Sequence, residues 1–262
     1  MNQLEVLRES LGQCDEIILD ALLMRNRIVE DIMVYKEAND LPVLQPEQEA
    51  KQKGWLEVRM EGRRHKKEVS DVFASITQNS KRIQSRNLFN YNIFLIGFMG
   101  AGKSTISDYL KNALAMDVVE MDQCIVERQG MSISDIFETY GEEYFRELET
   151  NLLIEMQSQS NVVVSCGGGV PMRERNVVEM KKNGRVVLLT AKPETILERV
   201  KDNHDRPLLE NNKTVPFIAD LMEKRRMKYE AAADIVIQTD GKSELEICEE
   251  LIHRLREAEV NK

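Results

Sequence analysis

Between the short apolar run Ile93-Phe94-Leu95-Ile96 and a stretch in which Ile106, Leu110, Ala113 and Leu114 recur at helical spacing lies Gly97-Phe98-Met99-Gly100-Ala101-Gly102-Lys103-Ser104-Thr105. It fits G-x-x-x-x-G-K-[ST], and no other part of the chain so narrows what it can fold into. A continuous apolar run of this length suits a parallel strand buried on both faces. The periodicity after Ser104 suits an amphipathic helix. Strand, glycine-rich turn and helix start together predict a loop that wraps phosphates. Glycines let backbone N–H groups close around the anion, and the helix N-terminus adds about half a positive charge. On this reading Gly100, Ala101, Gly102 and Thr105 line the cradle. Lys103 reaches the β- and γ-phosphates of a nucleoside triphosphate, and the Ser104 hydroxyl meets Mg²⁺.

Composition narrows the setting. At 262 residues the chain has room for two domains. No apolar run approaches the ~20 residues that would span a bilayer. The opening Met1-Asn2-Gln3-Leu4-Glu5 lacks the cationic start and apolar centre of a signal peptide, so a cytoplasmic protein is expected. A net charge of −9 argues against nucleic acid or an anionic membrane as partner. Cys14, Cys124, Cys166 and Cys248 lie far apart, without C-x-x-C spacing, and read as reduced, mostly buried thiols. His65, His204 and His253 fit no metal spacing.

Residues 1–86 contain no strand-like run. Leu4, Leu7, Leu11, Cys14, Ile18, Ala21, Ile28, Ile32 and Tyr35 trace a three-four stripe that predicts one helix from near the N-terminus to about Lys36. A helix of ~35 residues is ~50 Å long, too long to be buried in a globule of this size, so it needs a partner along its length. Arg25 falls where the stripe calls for an apolar residue. It is either snorkelling out of the seam or a cation awaiting an anionic ligand. Pro42 and Pro46 break the pattern, a second helix is predicted from near Glu47, and a third from about Lys67 to Arg86. The basic run Arg63-Arg64-His65-Lys66-Lys67 between them reads as a solvated loop or helix face.

This part resembles the all-helical chorismate mutase family. The matching residues are Leu7-Arg8 with Asp15, then Arg25, Lys36, Leu41-Pro42-Val43 leading to Glu49, and Ser80 with Gln84. The resemblance implies an intertwined homodimer in which Arg8 reaches the partner's site, with chorismate as substrate. It also implies roles: Arg8 and Arg25 on the two carboxylates, Lys36 and Gln84 donating to the ether oxygen, Glu49 accepting from the ring hydroxyl, and Ser80 supporting a carboxylate. The types suit a pericyclic rearrangement, which needs a dianion held and charge on the breaking ether oxygen stabilised, without covalent or proton-transfer steps. The family commonly shows Pro-Val-x-Asp-x-x-Arg-Glu. Here Gln45 and Gln48 replace the aspartate and the arginine, which lowers the expected catalytic strength more than it alters the fold.

From residue 88 onward apolar runs alternate with helical patterns, as in a parallel sheet covered by helices. Strands are predicted at Asn92–Ile96, Val118–Met121, Val162–Cys166, Val186–Leu189 and Ile235–Ile237. At or beyond their carboxyl ends stand Glu120-Met121-Asp122, Gly141-Glu142 with Phe145-Arg146 and Glu149, Gly167-Gly168-Gly169, Arg206-Pro207-Leu208-Leu209, and Lys224-Arg225-Arg226 with Tyr229. In that order, with the glycine loop, the series resembles shikimate kinase over residues 91–262.

That resemblance implies a five-stranded parallel sheet with helices on both faces, like the nucleoside monophosphate kinases. ATP and Mg²⁺ would be the cofactors and shikimate the substrate. Arg146 and Arg225 suit the substrate carboxylate through bidentate pairing. Asp122 would orient or deprotonate the hydroxyl that attacks the γ-phosphate. Gly168 and Gly169 would let backbone approach the ring. Arg206, in a polar stretch read as a lid, would neutralise the transferring phosphoryl group. Arg199 and Lys242 match positions near the adenine, and Glu120, where the family usually has aspartate, would meet Mg²⁺ through water. Arg146 with Glu149, three apart on a helix, also reads as a structural ion pair. Two rivals stand beside this reading: a kinase for another small polyol acid such as gluconate, and a first domain that only dimerises or binds an effector.

Overall fold

The computed structural model describes residues 2–201 and 214–260, and the chain divides into two compact units, Met1–Asn87 and Leu88–Lys262. No helix among the described residues is long and apolar enough to cross a membrane.

The first unit is helical. Helix α1 (Gln3–Ala38) has 36 residues, about 54 Å at 1.5 Å per residue. Its start is fixed by a capping box in which Asn2 and Glu5 each accept the other's backbone N–H, at 2.9 and 2.7 Å. Helix α2 (Pro46–Arg59) opens on proline, whose missing N–H has no intrahelical partner to lose at that position. Helix α3 (Lys66–Leu88) follows, and Trp55 of α2 meets Phe73 of α3 with ring centroids 6.2 Å apart.

The expected helices form, but the α1 stripe read from the sequence is not the face the chain buries. Leu4, Leu7, Leu11, Ile18, Ile28, Ile32 and Tyr35 keep between 44% and 63% of their surface exposed. The buried residues of α1 are Val29, Met33 and Lys36, each one position further on. One residue is a rotation of about 100°. Helix α1 therefore carries two apolar faces, one against its own unit and one that this chain leaves uncovered.

The second unit runs β1 (Asn92–Ile96), α4 (Lys103–Leu114), β2 (Asp117–Glu120), α5 (Met121–Gln129), α6 (Ile133–Tyr140), α7 (Glu142–Glu155), β3 (Val162–Ser165), α8 (Glu174–Lys182), β4 (Gly184–Thr190), α9 (Pro193–Val200), α10 (Val215–Ala232), β5 (Ile235–Gln238) and α11 (Glu244–Val260). The strands make one parallel sheet in the order β2-β3-β1-β4-β5. Strand β1 is central and buried at every position, as its unbroken apolar run required. Side chains alternate between faces. Phe94, Ile96, Val162, Val164, Val186 and Leu188 share a core with Ile136, Phe145 and Leu152. The alternate residues of β1 and β3 face the other way, where α4 and α11 pack.

Four of the five strands differ from the sequence reading by one or two residues at an end, and one of these differences moves a site residue. Strand β2 ends at Glu120, paired with Ser165, and the fully buried Met121 begins α5. Asp122 thus sits in the first turn of a helix at the carboxyl edge of the sheet. Because the chain moves outward in opposite directions from β1, the carboxyl end of that strand opens a crevice, the usual place for a ligand on such a sheet.

Candidate active sites

In the second unit the glycine loop joins β1 to α4. Gly100 and Gly102 take φ of +78° and +103°, the left-handed region, and a Cβ on Gly100 would lie 2.9 Å from Val200 Cγ1. Gly102 caps α4 without a side-chain acceptor, so the positive end of the helix faces the loop's concavity. Lys103 Nζ donates to Gly97 O at 2.9 Å. Arg199 donates to Gly100 O and to Thr239 Oγ1, both at 3.1 Å, bracing the loop from α9 and from the residue after β5. Lys242 pairs with Glu250 on α11. Arg206 and His204 lie outside the described residues.

At the start of α4, Ser104 Oγ donates to Glu120 Oε2 at 3.0 Å. Hydroxyl and carboxylate oxygens are hard donors of the kind Mg²⁺ prefers, and Mg²⁺ ordinarily keeps waters and phosphate oxygens in its shell. Among the described residues no group of three or more His, Cys, Asp or Glu could hold a metal ion. Ser104 and Glu120 are a donor pair that fits Mg²⁺.

Beyond the carboxyl ends of β2 and β3 lies a cleft of ≈ 340 Å³ whose lining includes Arg146, Arg173, Arg225, Glu142, Glu143 and Gly169. Arg146 is held by Glu149 at 2.9 Å and Glu142 at 2.8 Å. Burial alone would lower its pKa, but the charges and hydrogen bonds of Glu149 and Glu142 outweigh that and raise it. Glu149 is fully buried, and burial lifts its carboxyl to about 7 although Arg146 pulls it down. Glu142 and Glu149 grip one guanidinium from two sides, so the ion pair anticipated from the three-residue spacing forms and also aims Arg146. Arg225 donates to Gly168 O at 3.4 Å, and Tyr229 to the same oxygen at 2.7 Å.

The glycine triplet has a need of its own before any ligand arrives. A Cβ on Gly169 would collide with the Arg146 guanidinium, and one on Gly167 would come 2.5 Å from Asp122 Oδ1. At Gly168 a Cβ would meet Tyr229 and Arg225 only at ordinary contact distance. Cys166 stands just below, buried, and burial pushes its thiol up, which suits a packing residue better than a nucleophile.

In the first unit, Arg25 donates to Ser80 Oγ, and Ser80 is buried on α3. Burial lowers the Arg25 pKa. The two readings of Arg25 thus resolve toward a half-buried cation anchored inside its own unit. Lys36, also buried, donates to Val43 O at 2.8 Å. Glu49 meets Lys81 at 2.7 Å, and Gln84 lies one turn beyond Ser80, half-buried. Arg8 is exposed. Seventeen residues separate it from Arg25, about 25 Å along one helix, so it does not join this cluster.

Sequence reasoning missed three members of these sites. Arg173 enters the cleft from the segment before α8, paired with Glu143 and, at 3.1 Å, with Glu147. Lys81 and Ser107 carry no motif signal, and only the fold brings each to its neighbour.

A family model described as shikimate kinase matches residues 99–256, and one described as chorismate mutase type II matches residues 7–85. The shikimate kinase of Dehalococcoides mccartyi is 44% identical over 168 residues, covering 64% of this chain and 95% of that protein. That of Persephonella marina is 44% identical over 165 residues, covering 63% and 99%. Among solved structures, shikimate kinase from Acinetobacter baumannii in complex with shikimate superposes with a TM-score of 0.59 at 31% identity, covering 64% of this chain and 93% of that one. Shikimate kinase from Aquifex aeolicus gives 0.55 at 38% identity, covering 63% and 96%. With Gly100 to Thr105 of the phosphate loop, strands β2 to β5 and the arginine-lined cleft in the matched region, the chain belongs to the shikimate kinase family.

Proposed function

We propose that the second unit transfers the γ-phosphoryl group of ATP to the 3-hydroxyl of shikimate, with Mg²⁺, and that the first rearranges chorismate to prephenate. The observation that carries the kinase reading is the cleft that Arg146 and Arg225 both line, with Asp122 beside Gly167 of the adjoining triplet, at the same carboxyl edge of the sheet as the glycine loop. Two guanidinium groups match one carboxylate, which is the part of shikimate that a simple polyol lacks. Asp122 orients the attacking hydroxyl or takes its proton. Lys103, the helix N-terminus and Mg²⁺ supply positive charge to the phosphates. Arg206 is assigned the lid cation by family likeness alone.

The test is direct. Purified chain with ATP, Mg²⁺ and shikimate should release ADP and form shikimate 3-phosphate. Arg225→Ala should raise the shikimate KM roughly ten- to a hundred-fold, the worth of one charge-assisted hydrogen bond pair, while the KM for ATP barely moves. Turnover on gluconate in place of shikimate would favour the rival substrate. A larger effect on ATP than on shikimate would refute the carboxylate assignment.

For the first unit, Arg25, Ser80, Lys36 and Glu49 support a mutase site, and the uncovered face of α1 supports a homodimer that would bring Arg8 to it from the other subunit. Residues 1–86 expressed alone should therefore sediment as a helical dimer. A folded monomer at micromolar concentration would remove both the dimer and the role of Arg8. A second reading, in which this unit only dimerises or senses an effector, is favoured by Gln45 and Gln48, uncharged where the family has an acid and a base.

A further inference from the structure

Glu120 has two carboxylate oxygens, and α4 engages both. Ser104 Oγ donates to Oε2 at 3.0 Å, while Ser107 Oγ lies 2.6 Å from Oε1. The serines are three apart on one face of α4, but only Ser104 is at the surface; Ser107 is fully buried. Ser107 Oγ also stands 2.9 Å from Ser104 O, the ordinary back-bond of a helical serine. It has one proton to give. A charged acceptor at 2.6 Å falls in the range of strong O–H···O⁻ bonds, so the proton goes to Glu120.

We infer that Ser107 is a positioning residue for the divalent metal: from inside α4 it fixes the Glu120 carboxylate against Ser104. Glutamate has more rotatable bonds than a short acid, and Glu120 stands half-exposed at the last position of an edge strand. Untethered, it would sample rotamers that point away from Ser104, and each metal-binding event would have to order it again. Ser107 does that ordering beforehand. It needs no contact with metal or nucleotide. Hard oxygen ligands act best when their surroundings lock them in place. The backbone brings the three groups together because β2 ends beside the first two turns of α4.

The inference rests on the kinase reading, and its test separates the two. Binding of Mn²⁺ to the full chain with saturating ADP would be followed by loss of the free-ion electron paramagnetic resonance signal, beside titration with shikimate. The parent should bind Mn²⁺·ADP. Ser107→Ala should weaken Mn²⁺ about ten-fold, the low end for losing a hydrogen bond to a charge, and leave shikimate affinity unchanged. Ser107→Cys, close in volume but a poor donor, should do the same and serves if the alanine variant fails to fold. In a Glu120→Ala background the serine substitution should have no further effect. Parent-like Mn²⁺ binding by the Ser107 variants overturns the inference and leaves the kinase reading standing. So does an equal loss in the Glu120→Ala background, which would make Ser107 a packing residue. No Mn²⁺·ADP binding by the parent overturns both.

Discussion

Lys103→Met should reduce phosphoryl transfer to shikimate on the order of a thousand-fold or more, the scale seen when a preorganised charge-stabilising donor is removed. The reason is local. Lys103 sits half-buried at the first position of α4, its ammonium within the loop at 2.9 Å from Gly97 O and 3.4 Å from Phe98 O. A cation there meets the negative charge of the triphosphate in surroundings where few waters compete, so its contribution exceeds that of a surface lysine. Methionine keeps an unbranched chain of similar reach and good helix propensity. The sheet pairing of β1 does not involve the Lys103 side chain, so the fold should survive. ADP release coupled to shikimate measures the loss, and thermal unfolding checks the fold. Chorismate turnover should be unchanged, since the first unit supplies its own site residues. An equal loss of both activities would mean the sites are not independent. Retained kinase turnover would refute the role of Lys103.

The strand and helix positions of the second unit were legible because a parallel sheet writes itself as unbroken apolar runs. Phe94-Leu95-Ile96 could be nothing polar and still pass through the centre. Boundaries were less legible. Met121 is apolar like Val118 and Val119 before Glu120, yet pairing stops at Glu120 and the residue turns inward as the start of α5. In the first unit the sequence stripe marked a long helix in need of a partner along its length, and the chain leaves that stripe uncovered while it buries the adjacent face. Ile28, Ile32 and Tyr35 and their neighbours Val29, Met33 and Lys36 lie about 100° apart, and hydrophobicity cannot say which of two adjacent faces a chain covers by itself. The aliphatic stem of Lys36 packs as an apolar residue would, with its charge ended on a carbonyl.

The site divides the same way. Residues that act through a motif, such as Lys103 and Ser104, are visible in one dimension. Those that act by holding another residue are visible only when the two lie close in sequence. The three-residue spacing of Arg146 and Glu149 could be read on one helix, but the burial of Glu149 could not. Ser107 grips Glu120 across α4 and β2, which only the fold brings together.

The first unit sets a harder question, because Gln48 stands where the family carries an arginine. A hydrogen bond from a cation to substrate contributes ~1.5–3 kcal/mol. Its absence would lower kcat/KM roughly ten- to a hundred-and-fifty-fold, and since enzymes accelerate reactions by about a million-fold or more, such a loss weakens the catalyst without erasing it. The remaining groups are held in place: Arg25 on Ser80, Lys36 on Val43 O, and Gln84 half-buried nearby on α3. Lys81, whose side chain is only 14% exposed, puts a further cation 2.7 Å from Glu49, next in sequence to the uncharged Gln48. Real but modest mutase activity is therefore expected, raised by Gln48→Arg and abolished by Lys36→Ala. Lys36→Ala also leaves the Val43 carbonyl without this donor, at a cost of ~1–3 kcal/mol, so circular dichroism must show the helices intact before the loss is read as catalytic. Chorismate disappearance would be followed by absorbance and prephenate confirmed as product. If neither the parent nor Gln48→Arg exceeds the spontaneous rate, the cations of this unit hold a scaffold or a sensor.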